Sequence, residues 1–145
     1  MPTLILAVGL PQSGKSTWCR QQGHPIVNPD SIRLAMHGKP FIAEAESFVW
    51  AVAKCMVKAL FLAGHETVVL DATNTTRKRR DEWKSSKWTR EYFEFERDPV
   101  LCKARAEVTC GDAEHLAGLI AAIDRMNAQY EPVAEDEGMS RLNRG

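Results

Sequence analysis

Near its start the chain carries an unbroken apolar run, Leu4-Ile5-Leu6-Ala7-Val8, closed by Gly9. So short a run, rich in branched side chains, predicts a buried strand. Polar residues then alternate with apolar ones at helical spacing from Ser16 to Gln22, with Gly23 placed to end that helix. Ile26-Val27-Asn28 predicts a second, shorter strand broken at Asn28-Pro29. Asp30-Ser31-Ile32-Arg33-Leu34-Ala35-Met36 predicts a helix with Asp30 at or near its N-cap, and His37-Gly38-Lys39-Pro40 a loop. From Ala43 to Ala63 the positions Val49, Val52, Ala53, Met56, Val57 and Leu60 mark a long amphipathic helix, with Phe48 and Trp50 at the edge of its core face. Thr67 to Leu70 predicts a strand with Asp71 at its C-terminal end. A helix is expected from Thr75 or Thr76 to about Trp88, and a half-exposed strand over Tyr92 to Glu96, where aromatic and acidic residues alternate. Asp98-Pro99 opens a helix through about Val108, and Asp112 to Gln129 predicts another. The tail is acidic over Glu135-Asp136-Glu137, then carries Arg141 and Arg144, with room for one more short strand. Strands alternating with helices imply an α/β fold, its mainly parallel sheet of about four or five strands covered on both faces. Ligands in such folds sit at the carboxyl ends of the strands.

Composition adds bounds to this pattern. A chain of 145 residues, 44% hydrophobic and 26% charged, is expected to form one globular domain spanning 1–145. Its 19 basic and 19 acidic residues cancel, so contact with a polyanion has to come from local clustering. Cys19, Cys55, Cys102 and Cys110 follow neither a redox nor a zinc spacing, which predicts free thiols and a cytoplasmic protein. The apolar start runs into a glycine turn instead of a cleavage site, so no secretory leader is expected. No apolar run has the length of a membrane span. Oligomeric state is left open.

Chemistry enters with Gly9-Leu10-Pro11-Gln12-Ser13-Gly14-Lys15-Ser16-Thr17. This is Gly-x-x-x-x-Gly-Lys-Ser between a predicted strand and a predicted helix, the P-loop pattern. Gly9 and Gly14 permit backbone geometry and close approaches that a Cβ would hinder. The loop amides of residues 9–17 form an anion nest at a helix N-terminus. Lys15 reaches the β- and γ-phosphates, and the Ser16 hydroxyl is suited to Mg²⁺. The pattern predicts a bound nucleoside triphosphate with Mg²⁺; the kinase reading takes it as ATP, with GTP left open.

A P-loop protein passes its phosphoryl group to water or to an alcohol. The sequence lacks an Asn-Lys-x-Asp guanine-reading motif, and Leu70-Asp71-Ala72 does not match the Asp-Glu strand end of a mechanical ATPase. A carboxylate just after the second strand suits a kinase. Asp30 is placed to take the proton of an attacking hydroxyl, and Arg33, one turn on, to hold a phosphate of the acceptor. The alternative is that Asp30 only caps a helix. Asp71 is expected to hold a Mg²⁺-bound water or to fix Ser16. Thr73 and Asn74 are candidates for contact with the Asp30 turn or the acceptor, and ordinary turn residues otherwise. Arg77, Lys78, Arg79, Arg80, Lys84, Lys87 and Arg90 face only Asp81 and Glu82 within their segment. They predict a track for a nucleic-acid backbone, with Trp83 and Trp88 either stacking on bases or packing in the core.

Three segments together resemble the phage-type 5′-polynucleotide kinases within the wider group of small P-loop kinases. They are Gly9 to Arg20, the turn Asn28-Pro29-Asp30-Ser31-Ile32-Arg33, and Thr73-Asn74 followed by Arg79-Arg80 and Trp83. The resemblance covers nearly the whole chain and is specific mainly in residues 1–33 and 71–83. It implies a three-layer P-loop kinase fold with a helical lid over about 98–115, and transfer of the γ-phosphate of ATP to the 5′-hydroxyl of a DNA or RNA end. It makes Asp30 the general base, Arg33, Thr73, Asn74, Arg79 and Arg80 acceptor contacts, and Arg105 a lid cation. Two departures stand out: there is no room for the phage enzyme's phosphatase domain, and no cation stands at the family's second lid arginine, within Val108-Thr109-Cys110-Gly111. Lys103 and Arg97 are the candidates to replace it. A small-molecule kinase, or a nucleotide-binding module without an acceptor, remains an alternative.

Overall fold

A computed structural model describes residues 1–38 and 41–143. Lys39 and Pro40 of the expected loop, and Arg144 of the tail, lie outside the described residues. Five strands form one parallel sheet in the order β2-β3-β1-β4-β5, with β1 over Thr3–Val8, β2 over Ile26–Val27, β3 over Thr67–Leu70, β4 over Thr89–Glu94 and β5 over Ser140–Arg141. The helices are α1 (Lys15–Gln21), α2 (Pro29–His37), α3 (Glu46–Leu62), α4 (Arg77–Asp81), α5 (Pro99–Thr109) and α6 (Ala113–Gln129).

Strand alternation sorts the core into two layers. Leu4, Leu6 and Val8 of β1, with Val68 and Leu70 of β3, bury against Val49, Ala53 and Val57 of α3, Cys102 and Ala106 of α5 and Ile123 of α6. Ile5, Ala7 and Val69 point to the opposite face, where Cys19 of α1, Phe93 and Phe95 pack. Trp18 stacks on Phe93 at a centroid distance of 4.6 Å and completes that layer. β1 is thus buried on both sides, as its unbroken apolar run requires.

Three expected elements differ, among them the strand expected over Tyr92 to Glu96, which runs over Thr89–Glu94 as β4. The helix over Ala43 to Ala63 divides into a 3₁₀ turn, Ala43–Ala45, and α3. Its outer face is strongly apolar, with Phe48 65% exposed. The helix expected to reach Trp88 ends at Asp81. Trp83 and Trp88 are both buried, the Trp88 indole N–H donating to the Trp83 carbonyl at 2.9 Å. Neither indole is on the surface to stack on a base. The turn through Ser85 and Ser86 lets the chain reach Thr89 early enough to pair with all of β1. The described residues include no helix long and apolar enough to cross a membrane.

Candidate active site

The carboxyl ends of β1, β2 and β3 bring the P-loop, the Asp30 turn and Asp71 to one rim. β1 stops at Val8 and the chain turns at Gly9, where a Cβ would lie 2.8 Å from Ser13 Oγ and 3.0 Å from Phe95 Cβ. Gly14 enters α1 with φ +97°, and Gln12 is also left-handed at φ 67°. Glycine adopts that region at no cost and glutamine does not, so Gln12 holds a local strain of the kind found at ligand-binding turns.

Lys15 is buried and curls over the loop, donating to the Leu10 carbonyl at 2.7 Å. Burial lowers its pKa from 10.5 to about 8, opposed chiefly by the charge of Asp71 and more weakly by that of Asp30. The Ser16 hydroxyl donates to Asp71 Oδ2 at 2.7 Å, and Asn28 Nδ2 donates to the same oxygen at 3.1 Å. Asp71 therefore fixes Ser16, one of the two roles expected of it. Among the described residues no group of three or more His, Cys, Asp or Glu could hold a metal unaided. Ser16 and Asp71 offer the hard oxygen donors that suit Mg²⁺ arriving with phosphates.

The cap of α2 is Asn28, not Asp30. Asn28 Oδ1 accepts from the amides of Asp30 at 2.8 Å and Ser31 at 3.3 Å. Relieved of capping, the Asp30 side chain is 77% exposed and bonds Arg33 Nη1 at 2.6 Å. Asn28 thereby links Asp71 to the turn that carries Asp30. Arg33 is further gripped by Glu46 through Nε at 2.9 Å and Nη2 at 2.6 Å, a contact sequence reasoning missed. Glu46 stands 13 residues away on another helix, and only tertiary packing pairs them.

Arg105 Nη1 donates to the Gln12 carbonyl at 3.2 Å, which brings α5 against the P-loop. Thr109 occupies the next turn of α5 and lines the same cleft. Neither Lys103 nor Arg97 replaces the absent lid arginine. Lys103 pairs with Asp124, and Arg97 bonds Asn127 at 2.7 Å while lying over Tyr130, so α6 holds both. The cleft itself, about 940 Å³, runs from Gln12–Thr17 past Trp18, Gln21 and Arg105 to Leu142 and Asn143.

The remaining acceptor candidates fall into two groups. Asn74 is 1% exposed, with its Nδ2 donating to the Ala7 carbonyl at 2.8 Å, while the Thr73 carbonyl accepts from the Gly9 amide at 2.9 Å. These two brace the P-loop from behind, and the buried Asn74 side chain is corrected from an acceptor contact to a brace. Arg80 is corrected likewise. It is fully buried, bonding Glu137 through Nε at 2.7 Å and the Asn74 carbonyl through Nη1 at 2.9 Å. Arg90 is buried beside it and donates to the carbonyls of Arg80 and Glu137, both at 2.7 Å. Arg77 pairs with Asp136 and Lys84 with Asp81. The tail's acidic run takes Arg77 and Arg80 out of the basic segment, Arg79 pairs with Glu82, and the expected track is interrupted. Arg79 alone of the two paired arginines stays at the surface, near Trp50.

A strand, a phosphate-binding loop, a helix and a carboxylate on the neighbouring strand end are now in register, and the sequence of residues 4–133 matches the family model described as an AAA domain. The chain belongs to the AAA domain family. Among solved structures, this AAA domain is similar to a chain of a Pnkp1/Rnl/Hen1 complex at 26% identity and TM-score 0.66, over 77% of this chain and 41% of that one. A chain of the Pnkp1/Rnl/Hen1 RNA repair complex superposes with TM-score 0.65 at 17% identity, over 90% of this chain and 46% of the other. The AAA domain thus spans less than half the length of these two neighbours. A gluconokinase from Sinorhizobium meliloti shares the fold at TM-score 0.57 and 18% identity, over 97% of this chain and 82% of that one. No curated protein matches the sequence. The α/β fold is that of the P-loop kinases, with helices on both faces of the sheet.

Proposed function

We propose that this AAA domain is an ATP- and Mg²⁺-dependent kinase that phosphorylates the 5′-hydroxyl of a DNA or RNA end. The observation that carries the reading is the placement of Asp30. It does not cap its helix, and it is exposed at the strand-end rim that also carries the P-loop, bonded to Arg33. In the reaction the acceptor O–H gives its proton to the Asp30 carboxylate as its oxygen bonds the γ-phosphorus. The bond from that phosphorus to the β–γ bridging oxygen breaks, and ADP leaves. Lys15 and the loop amides of residues 9–17 bind the phosphates and meet the charge on the transferring group. Ser16, fixed by Asp71, would hold a Mg²⁺ ion arriving with the nucleotide, and that ion would supply neutralisation of phosphate charge. Arg105 closes on the donor from α5, and Arg33 exchanges Asp30 for a phosphate of the acceptor. That exchange frees the base as the acceptor arrives.

The neighbour named for RNA repair supports a nucleic-acid acceptor, while the gluconokinase neighbour supports a small polyol on the same machinery. Labelled ATP offered to a 5′-OH oligonucleotide, a nucleoside 3′-phosphate, a sugar and water alone separates the readings. Label on the oligonucleotide is expected. Label on the sugar alone replaces the acceptor, and label only as free phosphate removes the kinase reading while leaving the nucleotide site.

A further inference from the structure

The reaction above leaves two side chains of α3 without a role. Glu46 and Trp50 lie four residues apart, on one face of the helix. Glu46 fixes Arg33 through two of its three nitrogens. Trp50 has the Arg33 guanidinium 5.8 Å from its ring centroid and that of Arg79 at 4.1 Å. Its ring is backed edge-on by the buried Trp83, centroids 6.5 Å apart, so the platform is not free to tip. α2 and α4, which are distant in sequence, thus deliver one arginine each to the same indole.

Each arginine also carries the same kind of resting partner. Arg33 Nη1 bonds Asp30 and Arg79 Nη1 bonds Glu82 at 3.0 Å, in both cases a carboxylate three residues away with solvent access. The exposed pair of Arg79 with Glu82 is of the weak kind that exchanges readily for a better anion, and Asp30, 77% exposed, is the partner of the largely buried Arg33 that a ligand can displace. A phosphate is that anion, because the guanidinium fork matches its oxygens. Two cations drawn to one ring, each on a replaceable carboxylate, describe two adjacent anion positions.

We propose that Glu46 and Trp50 set Arg33 and Arg79 as two successive phosphate positions of one acceptor site, which selects strands carrying at least two phosphates 3′ of the reacting hydroxyl. This rests on the kinase reading and adds a length requirement to it. Glu46 is a positioning residue in this scheme, acting through Arg33. A sugar or a single nucleotide fills at most the Arg33 position.

The test compares KM for two acceptors with the same 5′-OH nucleoside, one a nucleoside 3′-phosphate and the other a dinucleotide 3′-phosphate. The second is expected to show a KM about tenfold lower in the wild type. In Arg79→Ala and in Trp50→Leu that ratio collapses toward one, and Arg79→Lys restores part of it. Glu46→Gln raises KM for both acceptors together. A wild-type ratio near one, or a ratio that survives Arg79→Ala, overturns the proposal. ATP affinity, measured in parallel, confirms that each variant is folded. If no 5′-OH acceptor is phosphorylated, the kinase reading falls, and the platform is judged by anisotropy of a fluorescent 5′-OH oligonucleotide. There Arg79→Ala is expected to weaken binding and flatten the dependence of log K on log salt by about one. Unaltered binding overturns the platform.

Discussion

The P-loop rim and the basic segment from Arg77 to Arg90 look equally promising along the chain, and they end in opposite environments. In the rim, residues 9–17 shape their own site: β1 ends, the glycines turn and α1 begins. The basic segment has no such autonomy. Arg80 and Arg90 fold inward onto Glu137, and Arg77 reaches Asp136. A dense cluster of one charge is a surface feature only if the opposite charge is not waiting elsewhere in the sequence. Here the acid-rich turn at Glu135–Glu137 was waiting.

That contrast can be broken most sharply at Asp30. Asp30→Ala is expected to lower phosphoryl transfer by ~10²–10⁴-fold while ATP affinity, followed by calorimetry, holds. Turnover equal to wild type would remove the rim's catalytic half. On the other side, Glu137→Ala strands the buried Arg80 charge and should cost about 3–5 kcal/mol of stability, read from the urea midpoint. A midpoint within error of wild type would mean that the ionic node is not what pins the tail.

Lys15 gives a smaller effect, with a definite sign. Its folded-state pKa of about 8 lies below the ordinary lysine value of 10.5, so the nucleotide-free fold binds less proton than the unfolded chain between those limits. Lys15 therefore penalises the fold below about pH 8, and stability from this group rises from there to about pH 10.5. ATP needs the ammonium, so its affinity is flat below about pH 8 and falls by up to tenfold per unit above it. Calorimetry in buffers of differing ionisation enthalpy would detect the proton taken up. Least of all is expected from Arg77→Ala, whose pairing is exposed: the urea midpoint should stay within error of wild type.

What the sequence made legible follows the same division. β1, α1, α5 with its Asp98 cap and α6 with Asp112 are set by neighbours within a turn or two, and pattern alone recovers them. The positions of Lys15 and Ser16 at the start of α1 and of Asp71 at the end of β3 were legible because one motif specifies the first two and a strand end the third. Asp30 lies near the N-cap of α2, as expected, but the capping side chain is that of Asn28, because both residues suit that position and only the fold shows which one turns back. Glu46 gripping Arg33 and Asn74 bracing Ala7 join segments 13 and 67 residues apart. No local rule carries that information. The helix expected to run to Trp88 failed for a related reason: pairing of Thr89–Glu94 along β1 outweighs the helical preference of the residues before it.

The far wall of the nucleotide cleft belongs to Leu142 and Asn143, just past β5, while its floor begins at Gln12. A molecule seated between them clasps the opening and closing stretches of the described chain together. Nucleotide should therefore shield the connection from Pro132 to Met139 against proteolytic nicking, although that connection lies outside the lining of the cleft. Bound nucleotide would then act as a latch on the sheet's edge strand.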